Sequence, residues 1–471
     1  MGDVLFSARF CFDRTDCEYT ADSEEIETMS HKLELKNLGP IGECSIELKT
    51  FNIFTGPQSS GKSTIAKAIF YFRSLKQDIL RIMMQGGPAG VTGEKEVKWL
   101  SVMQQNMREK FLQIFGTSWS MPDDMEMRYT FSREEIFIHV CLKEDYYQGR
   151  NYIYIEFSPK LRSYFDDLDT SVFTDITEGQ MEIERKRITK LLDDPCEVLF
   201  IPAGRSMITL LSTQLNYIFT SLEGSQLRNI DYVTKRFTET ILKLKPMFSR
   251  GMQGYIEEIQ DVPELYRKYA ENRPAINLLM EYAKKILQGN YRYVDGEERL
   301  YLDNRKYVKI NFSSSGQQEV VWVLNLLFYY LVEDKRVFLI LEEPESHLYP
   351  DAQRLMGEIL GMFLNEGKNQ VLVTTHSPYL LGTFNYMLQA GQCSKPAGEV
   401  IKKKLRKRFW LKSGDTGAYF VHDSYVEDAL SREEGLVLVK NELIDGASIE
   451  INEMSDFILE QDFEVQEGMD D

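Results

Sequence analysis

FNIFTGPQSSGKSTIAKAIFYF, residues 51–72, runs from an apolar strand-like segment through a glycine-rich loop into a segment with helical apolar spacing. Gly56 to Ser63 fits G-x-x-x-x-G-K-[ST], and the strand before it and helix after it are the context that gives the pattern meaning. Its glycines let backbone N–H groups close around phosphate oxygens at the positive end of a helix dipole. Lys62 is then expected to reach the β- and γ-phosphates, and the Ser63 hydroxyl to ligate Mg²⁺. Gly56, Gln58, Ser59, Ser60, Gly61, Lys62, Ser63 and Thr64 form the expected phosphate-binding set, with ATP and Mg²⁺ as the implied ligands. Without the flanking strand and helix, the same residues would read as an ordinary turn.

Three further stretches bear on that loop. VFLILEEP, residues 337–344, is an apolar strand ending in two carboxylates. Adjacent acids at the end of a buried strand need something positive nearby, because an unpaired buried carboxylate is costly. Glu342 is read as the group that faces Mg²⁺, and Glu343 as the general base that takes a proton from the attacking water. His376 ends a second apolar strand, QVLVTTH, and should emerge at the same sheet edge, near the γ-phosphate or the water. SSSGQQ, residues 313–318, opens the apolar helix EVVWVLNLLFYYLV and offers backbone donors to a phosphate through Ser314, Gly316 and Gln317. Taken singly, the acids, the histidine and the loop also read as a solvated strand end, a structural histidine and a helix cap.

In this order the four motifs resemble the ABC ATPase heads of the SMC, Rad50, RecF and OLD families. Ser314, Gly316 and Gln317 match the signature loop of those heads, with Ser315 where the first signature glycine would stand; Glu342 replaces the usual Asp of the carboxylate strand. LKNLGPIGECSIEL (35–48), FIPAGRS (200–206) and LEEPESHLYPDAQ (341–353) are similar to the OLD-like ATPases of bacterial anti-phage defence, of PARIS or Septu type. The resemblance implies an α/β fold: an ABC-type head in which a P-loop sheet with helices joins an antiparallel β lobe, with a helical insertion. It places Asn37 near the nucleotide, Arg205 near the Q-loop position, and Ser346 to Leu348 in the D-loop. It further implies catalysis by Glu343, His376 and Lys62 at an interface between two copies, where the signature loop of one covers the ATP of the other. Homodimers or higher homo-oligomers, a separate Toprim-type nuclease effector chain and a phage-encoded trigger are the implied partners. No convincing Toprim carboxylate set follows His376, which is why the effector is expected on another chain.

The organisation expected along the chain is an extension at 1–30, the first half of the head at 31–206, a helical insertion at 207–300, the second half at 301–394, and an appendage at 395–471. Segments EMRYTF, IFIHVCL and YIYIEF, between 126 and 157, alternate apolar and polar residues as an antiparallel meander does. With 471 residues, 43% hydrophobic and 12% aromatic, the chain has material for a large core. A formal charge of -18 argues against a surface devoted to polyanions, although KKKLRKR at 402–408 is a local exception. That run is the best support for a RecF- or Rad50-like DNA-repair ATPase, the alternative reading; nucleic acid is thus possible but not indicated. Six cysteines without a C-x-x-C pair suggest neither zinc nor a disulfide framework, and a reducing cytoplasm is the expected location. No signal peptide or membrane segment is expected.

Overall fold

A strand as apolar as Val337–Glu342 is stable only in a sheet whose two faces are both covered. The computed structural model, which describes residues 30–93, 97–144, 151–168, 176–209, 231–303, 305–433, 435–440 and 454, has that arrangement. Strands β3 (Phe51–Thr55), β7 (Glu197–Ile201), β11 (Val337–Glu342), β12 (Gln370–Thr375), β13 (Thr416–His422) and β14 (Tyr425–Asp428) form one sheet in the order β14-β13-β3-β12-β11-β7. All neighbours are parallel except β13 and β14.

The side chains of this sheet divide by parity, as a pleated strand requires. Val337, Leu339 and Leu341 enter one core with Phe51, Ile53, Leu199, Ile201, Val371 and Val373. Phe338 and Ile340 enter a second with Phe54, Val198, Phe200 and Leu372. Helices Pro263–Leu287, Ser315–Glu333, Pro350–Asn365 and Pro378–Gln392 cover the first face. Helices Lys62–Arg73, Leu75–Met84 and Trp99–Phe115 cover the second. Each fully buried Leu, Ile, Val or Phe contributes about 1.5–3 kcal/mol. The helix Ser315–Glu333 is apolar on all sides because it is surrounded, with Trp322, Leu324, Leu327 and Phe328 all at 0% exposure.

The second core is closed by an antiparallel sheet, β2-β1-β4-β5-β6. Its strands are β1 (His31–Leu38), β2 (Ile41–Leu48), β4 (Glu126–Thr130), β5 (Phe137–Glu144) and β6 (Asn151–Phe157). The meander read from the sequence is thus three strands of five, and the two strands that precede the phosphate loop complete it.

Two expected boundaries need correction. The insertion at 207–300 does not stand apart as an arm: Phe237, Ile241, Leu244, Ile276, Leu279 and Leu287 of its helices lie in the same core as Trp322 and Phe328. It also ends in strands β8 (Asn290–Val294) and β9 (Glu297–Tyr301), which continue across residue 300 into β10 (Tyr307–Lys309). The appendage at 395–471 is not separate either, because β13 pairs with β3 in the central sheet. Residues 1–29 and the acidic end lie outside the described residues, as do Cys11 and Cys17. No helix among the described residues is long and apolar enough to cross a membrane.

Candidate functional site

Parallel strands present their C-terminal ends at one sheet edge, where an open α/β sheet binds its ligands. Here that edge carries the glycine-rich loop after β3, the Pro202–Arg205 loop after β7, Glu343 after β11 and His376 after β12. The register Thr55↔Thr375 and Glu342↔Thr374 brings these ends to one level.

The loop needs its glycines. Gly56 has φ 140° and Gly61 φ 111°, and a Cβ on Gly56 would lie 2.1 Å from Val421 O on β13. At the start of helix Lys62–Arg73, Ser63 is exposed and Thr64 half-buried, so the Ser63 hydroxyl is open to a metal ion. Gln58 and Ser59 are also exposed. The Lys62 ammonium is folded into the loop, donating to Gly56 O at 3.0 Å, Pro57 O at 2.6 Å and Ser60 Oγ at 3.4 Å. Burial pushes it down to about 8, against the opposing pull of Glu343 and Glu345. Those carboxylates therefore share the electrostatic neighbourhood of Lys62.

Glu343 stands in the left-handed region, φ 42°. Its amide donates to Thr374 O at 2.9 Å. Its carboxylate accepts from Ser346 Oγ at 3.0 Å and lies 3.5 Å from His376 Nε2. The neighbouring His376 imidazole is the main reason its carboxyl is held below the usual carboxylate range. A half-buried, ionised carboxylate beside an imidazole is equipped to take a proton from water.

Glu342 is 4% exposed; Oε2 accepts from Ala203 N at 3.1 Å, while Oε1 has no protein partner. Two more buried oxygens at this edge lack a protein partner, Thr55 Oγ1 and Glu345 Oε2. Buried oxygens are rarely left so, and a hydrated divalent cation with a phosphate chain is the type of group that satisfies them. An exposed Ser63 and an unpartnered Glu342 Oε1 are oxygen donors of the kind Mg²⁺ takes.

Glu345 had no signal in the sequence beyond being a third acid in EEPE. It accepts from Thr375 Oγ1 at 2.8 Å and His376 N at 2.7 Å, tying the turn after β11 to the end of β12. Burial pushes its carboxyl up.

Asn37 stands apart from this cluster in its bonding: its amide donates to Asp124 Oδ1 at 2.9 Å. The turn that follows it does reach the site, since a Cβ on Gly39 would lie 3.6 Å from Thr64. Ser314 and Gln317 form a reciprocal capping box at the start of helix Ser315–Glu333. The Gln317 side chain is committed there and to Leu287 O, 2.7 Å away, and the amides of Ser314 and Gln317 are taken by the box, so those of Ser315 and Gly316 are the backbone donors of this loop outside it. Gly316 packs against the turn after β11 in its own chain, where a Cβ would lie 2.5 Å from His347 O. Among the described residues, no hydrogen bond joins Ser314–Gln317 to the phosphate loop.

A family model described as an AAA ATPase domain matches residues 190–381, less than half of the chain, and takes in the Pro202–Arg205 loop, the carboxylate strand and His376. No curated protein sequence matches the chain. Among solved structures, an SMC head bound to the C-winged helix domain of ScpA is 14% identical, covering 84% of this chain and 95% of that one at a TM-score of 0.34. The SMC head domain from Thermotoga maritima is 15% identical, covering 87% and 97% at a TM-score of 0.32. An SMC head with extended coiled coil from Pyrococcus furiosus, bound to the C-terminal domain of ScpA, is 14% identical, covering 90% and 98% at 0.31. The family match takes in the carboxylate strand and His376 but not the loop Gly56 to Thr64, which rests on its own sequence and geometry.

Proposed function

We propose that the chain hydrolyses Mg-ATP at an interface between two copies of itself. The observation that carries the reading is the Glu343–His376 pair, 3.5 Å apart at the sheet edge that also holds Lys62. In this reading the loop Gly56 to Thr64 binds the phosphate chain, and Lys62 leaves its loop carbonyls for the β- and γ-phosphate oxygens, which are stronger acceptors. Ser63 and Glu342 hold Mg²⁺, which supplies charge neutralisation at the phosphates. Glu343 receives the proton of the attacking water, and His376 orients that water or faces the γ-phosphate.

The two-copy arrangement draws on the N-terminus of helix Ser315–Glu333, where the amides of Ser315 and Gly316 lie outside the capping box. Phe312, Tyr349 and Tyr379, at 80%, 75% and 56% exposure, stand within three residues of Ser313, Leu348 and His376 respectively. The same resemblance that suggests defence systems makes control of a separate effector chain, of Toprim nuclease type, the biological role of this cycle. A second reading, a RecF- or Rad50-like ATPase acting on DNA, draws on the exposed Lys403, Lys404 and Lys407 within 402–408. It predicts hydrolysis stimulated by DNA and lost at high salt.

The test is Glu343→Gln, which keeps the shape and removes the base. The rate constant should fall by ~10²–10⁴-fold while ATP binding persists, and light scattering should show a dimer that ATP holds together. Hydrolysis that proceeds at the full rate in the variant, or a specific activity in the native protein independent of its concentration, rejects the reading.

A further inference from the structure

Arg205 is the large side chain whose burial the chemistry described so far does not use. It is 1% exposed at the start of the helical turn that follows the loop 202–204, and its guanidinium is spent on backbone carbonyls. Nε donates to Glu319 O at 2.9 Å, and Nη1 to Pro202 O at 2.8 Å and Glu342 O at 2.6 Å. Nη2 donates to Glu343 O at 3.0 Å. The counter-charge is Glu319, also 1% exposed, 3.2 Å from Arg205 Nε. The Glu319 carboxylate in turn accepts from the backbone N–H groups of Arg205 and Ser206, both at 2.9 Å.

Burying an ion pair is costly and is weak evidence of a stability gain. This one is placed where it grips the backbone of both carboxylate residues, one of which holds a left-handed conformation that a glutamate does not choose unaided. Glu319 belongs to the helix Ser315–Glu333, whose first residues are the phosphate-donor loop Ser314–Gln317. The loop, the ion pair and the carboxylate turn are therefore one connected hydrogen-bonded unit. Gly316 adds a second contact between the same parts through His347.

We propose that Arg205 is a positioning residue for Glu343, and that through Glu319 it transmits the seating of a phosphate at the N-terminus of helix Ser315–Glu333 to the carboxylate turn of the same chain. The identity of the seated group, the triphosphate carried by a second copy, rests on the function proposed above; the grip on Glu343 does not. A chain with an empty helix N-terminus would then hold Glu343 less well aligned, and hydrolysis would wait for the partner.

The test uses Arg205→Lys, which keeps the charge but not the planar fork, and Glu319→Gln, which keeps the shape. At saturating ATP, kcat of Arg205→Lys should fall about tenfold to a hundredfold, with KM within about twofold of native and a cooperative melting transition retained. A folded variant whose kcat is unchanged, or whose loss is all in KM, overturns the proposal. Hydrogen exchange on the native protein decides the matter even where variants fail to fold. Addition of ATP should protect the amides of 202–209 and 341–348 together, and protection of 341–348 alone overturns the link. A specific activity independent of protein concentration would remove the second copy as the seated group, yet unchanged kcat in Arg205→Lys would still be needed to remove the positioning role.

Discussion

Gly316→Ala isolates the contact between the phosphate-donor loop and the D-loop. The added methyl would lie 2.5 Å from His347 O and 3.3 Å from His347 C, both backbone atoms that cannot swing aside. His347 is already left-handed, φ 58°, so its peptide has little room to rotate. Relief requires the two segments to part by roughly 0.7–1 Å to reach ordinary carbon–oxygen contact, and overpacking of this kind costs about 1–3 kcal/mol. His347 is four residues beyond Glu343, and Ser346 Oγ is bonded to the Glu343 carboxylate. A displacement of that size at a catalytic base costs on the order of a hundredfold in rate. The assay is steady-state phosphate release with a melting curve for each protein. Gly382→Ala is the control: it lies in helix Pro378–Gln392, its Cβ would meet nothing within 4 Å, and it should stabilise by ~0.5–1 kcal/mol without changing kcat. If Gly316→Ala keeps kcat within twofold of native, the D-loop contact does not set the position of Glu343 and the reasoning fails.

Two further outcomes follow from the same edge. With Lys62 pushed down to about 8 in the free protein, its ammonium is present below that pH and lost above it; because phosphate selects the charged form, the dissociation constant for ATP should rise by about tenfold per pH unit above 8. Lys62→Arg, which stays charged, should flatten that rise in a titration of a fluorescent ATP analogue, and a flat native profile would show that Lys62 is not the titrating group. Phe312→Ser, removing a side chain 80% exposed, should weaken ATP-dependent association by about tenfold or more while leaving the melting temperature unchanged; sedimentation with and without ATP reads this directly, and equal association in both proteins would move the seam elsewhere.

What the residues disclosed in advance was whatever depends on local order. The phosphate loop, the double-carboxylate strand and the strand ending in His376 each combine an apolar run with a polar terminus, and parallel pairing then brings the termini to one edge. The capping box of Ser314 and Gln317 is also a local pattern, although its consequence, that the Gln317 side chain is occupied, needs the position of Leu287 O. Strand β13 was missed because TGAYFVH is short and its pairing with β3 spans more than 350 residues of chain. The helices at 232–287 carried the right periodicity, but periodicity does not say against what an apolar face packs.

The resemblance placed Arg205 near the Q-loop position, but its pairing with Glu319 and its grip on backbone were illegible for a stronger reason. An acid in the first turns of a helix reads as a partner of the helix dipole. The meaning of both residues depends on the carbonyls of Pro202, Glu319, Glu342 and Glu343 and the amides of Arg205 and Ser206, and backbone groups are the same in every sequence. The same holds for Glu345, whose acceptors' partners are Thr375 Oγ1 and the amide of His376. Residues that touch phosphate or water are chosen for side-chain chemistry and leave a pattern, whereas residues that hold backbone leave none. The geometry of Glu343, a half-buried carboxylate in a left-handed turn and the proposed base, depends on the second kind, which is why substitutions at Arg205 and Gly316 discriminate more sharply between mechanisms than substitutions in the phosphate loop.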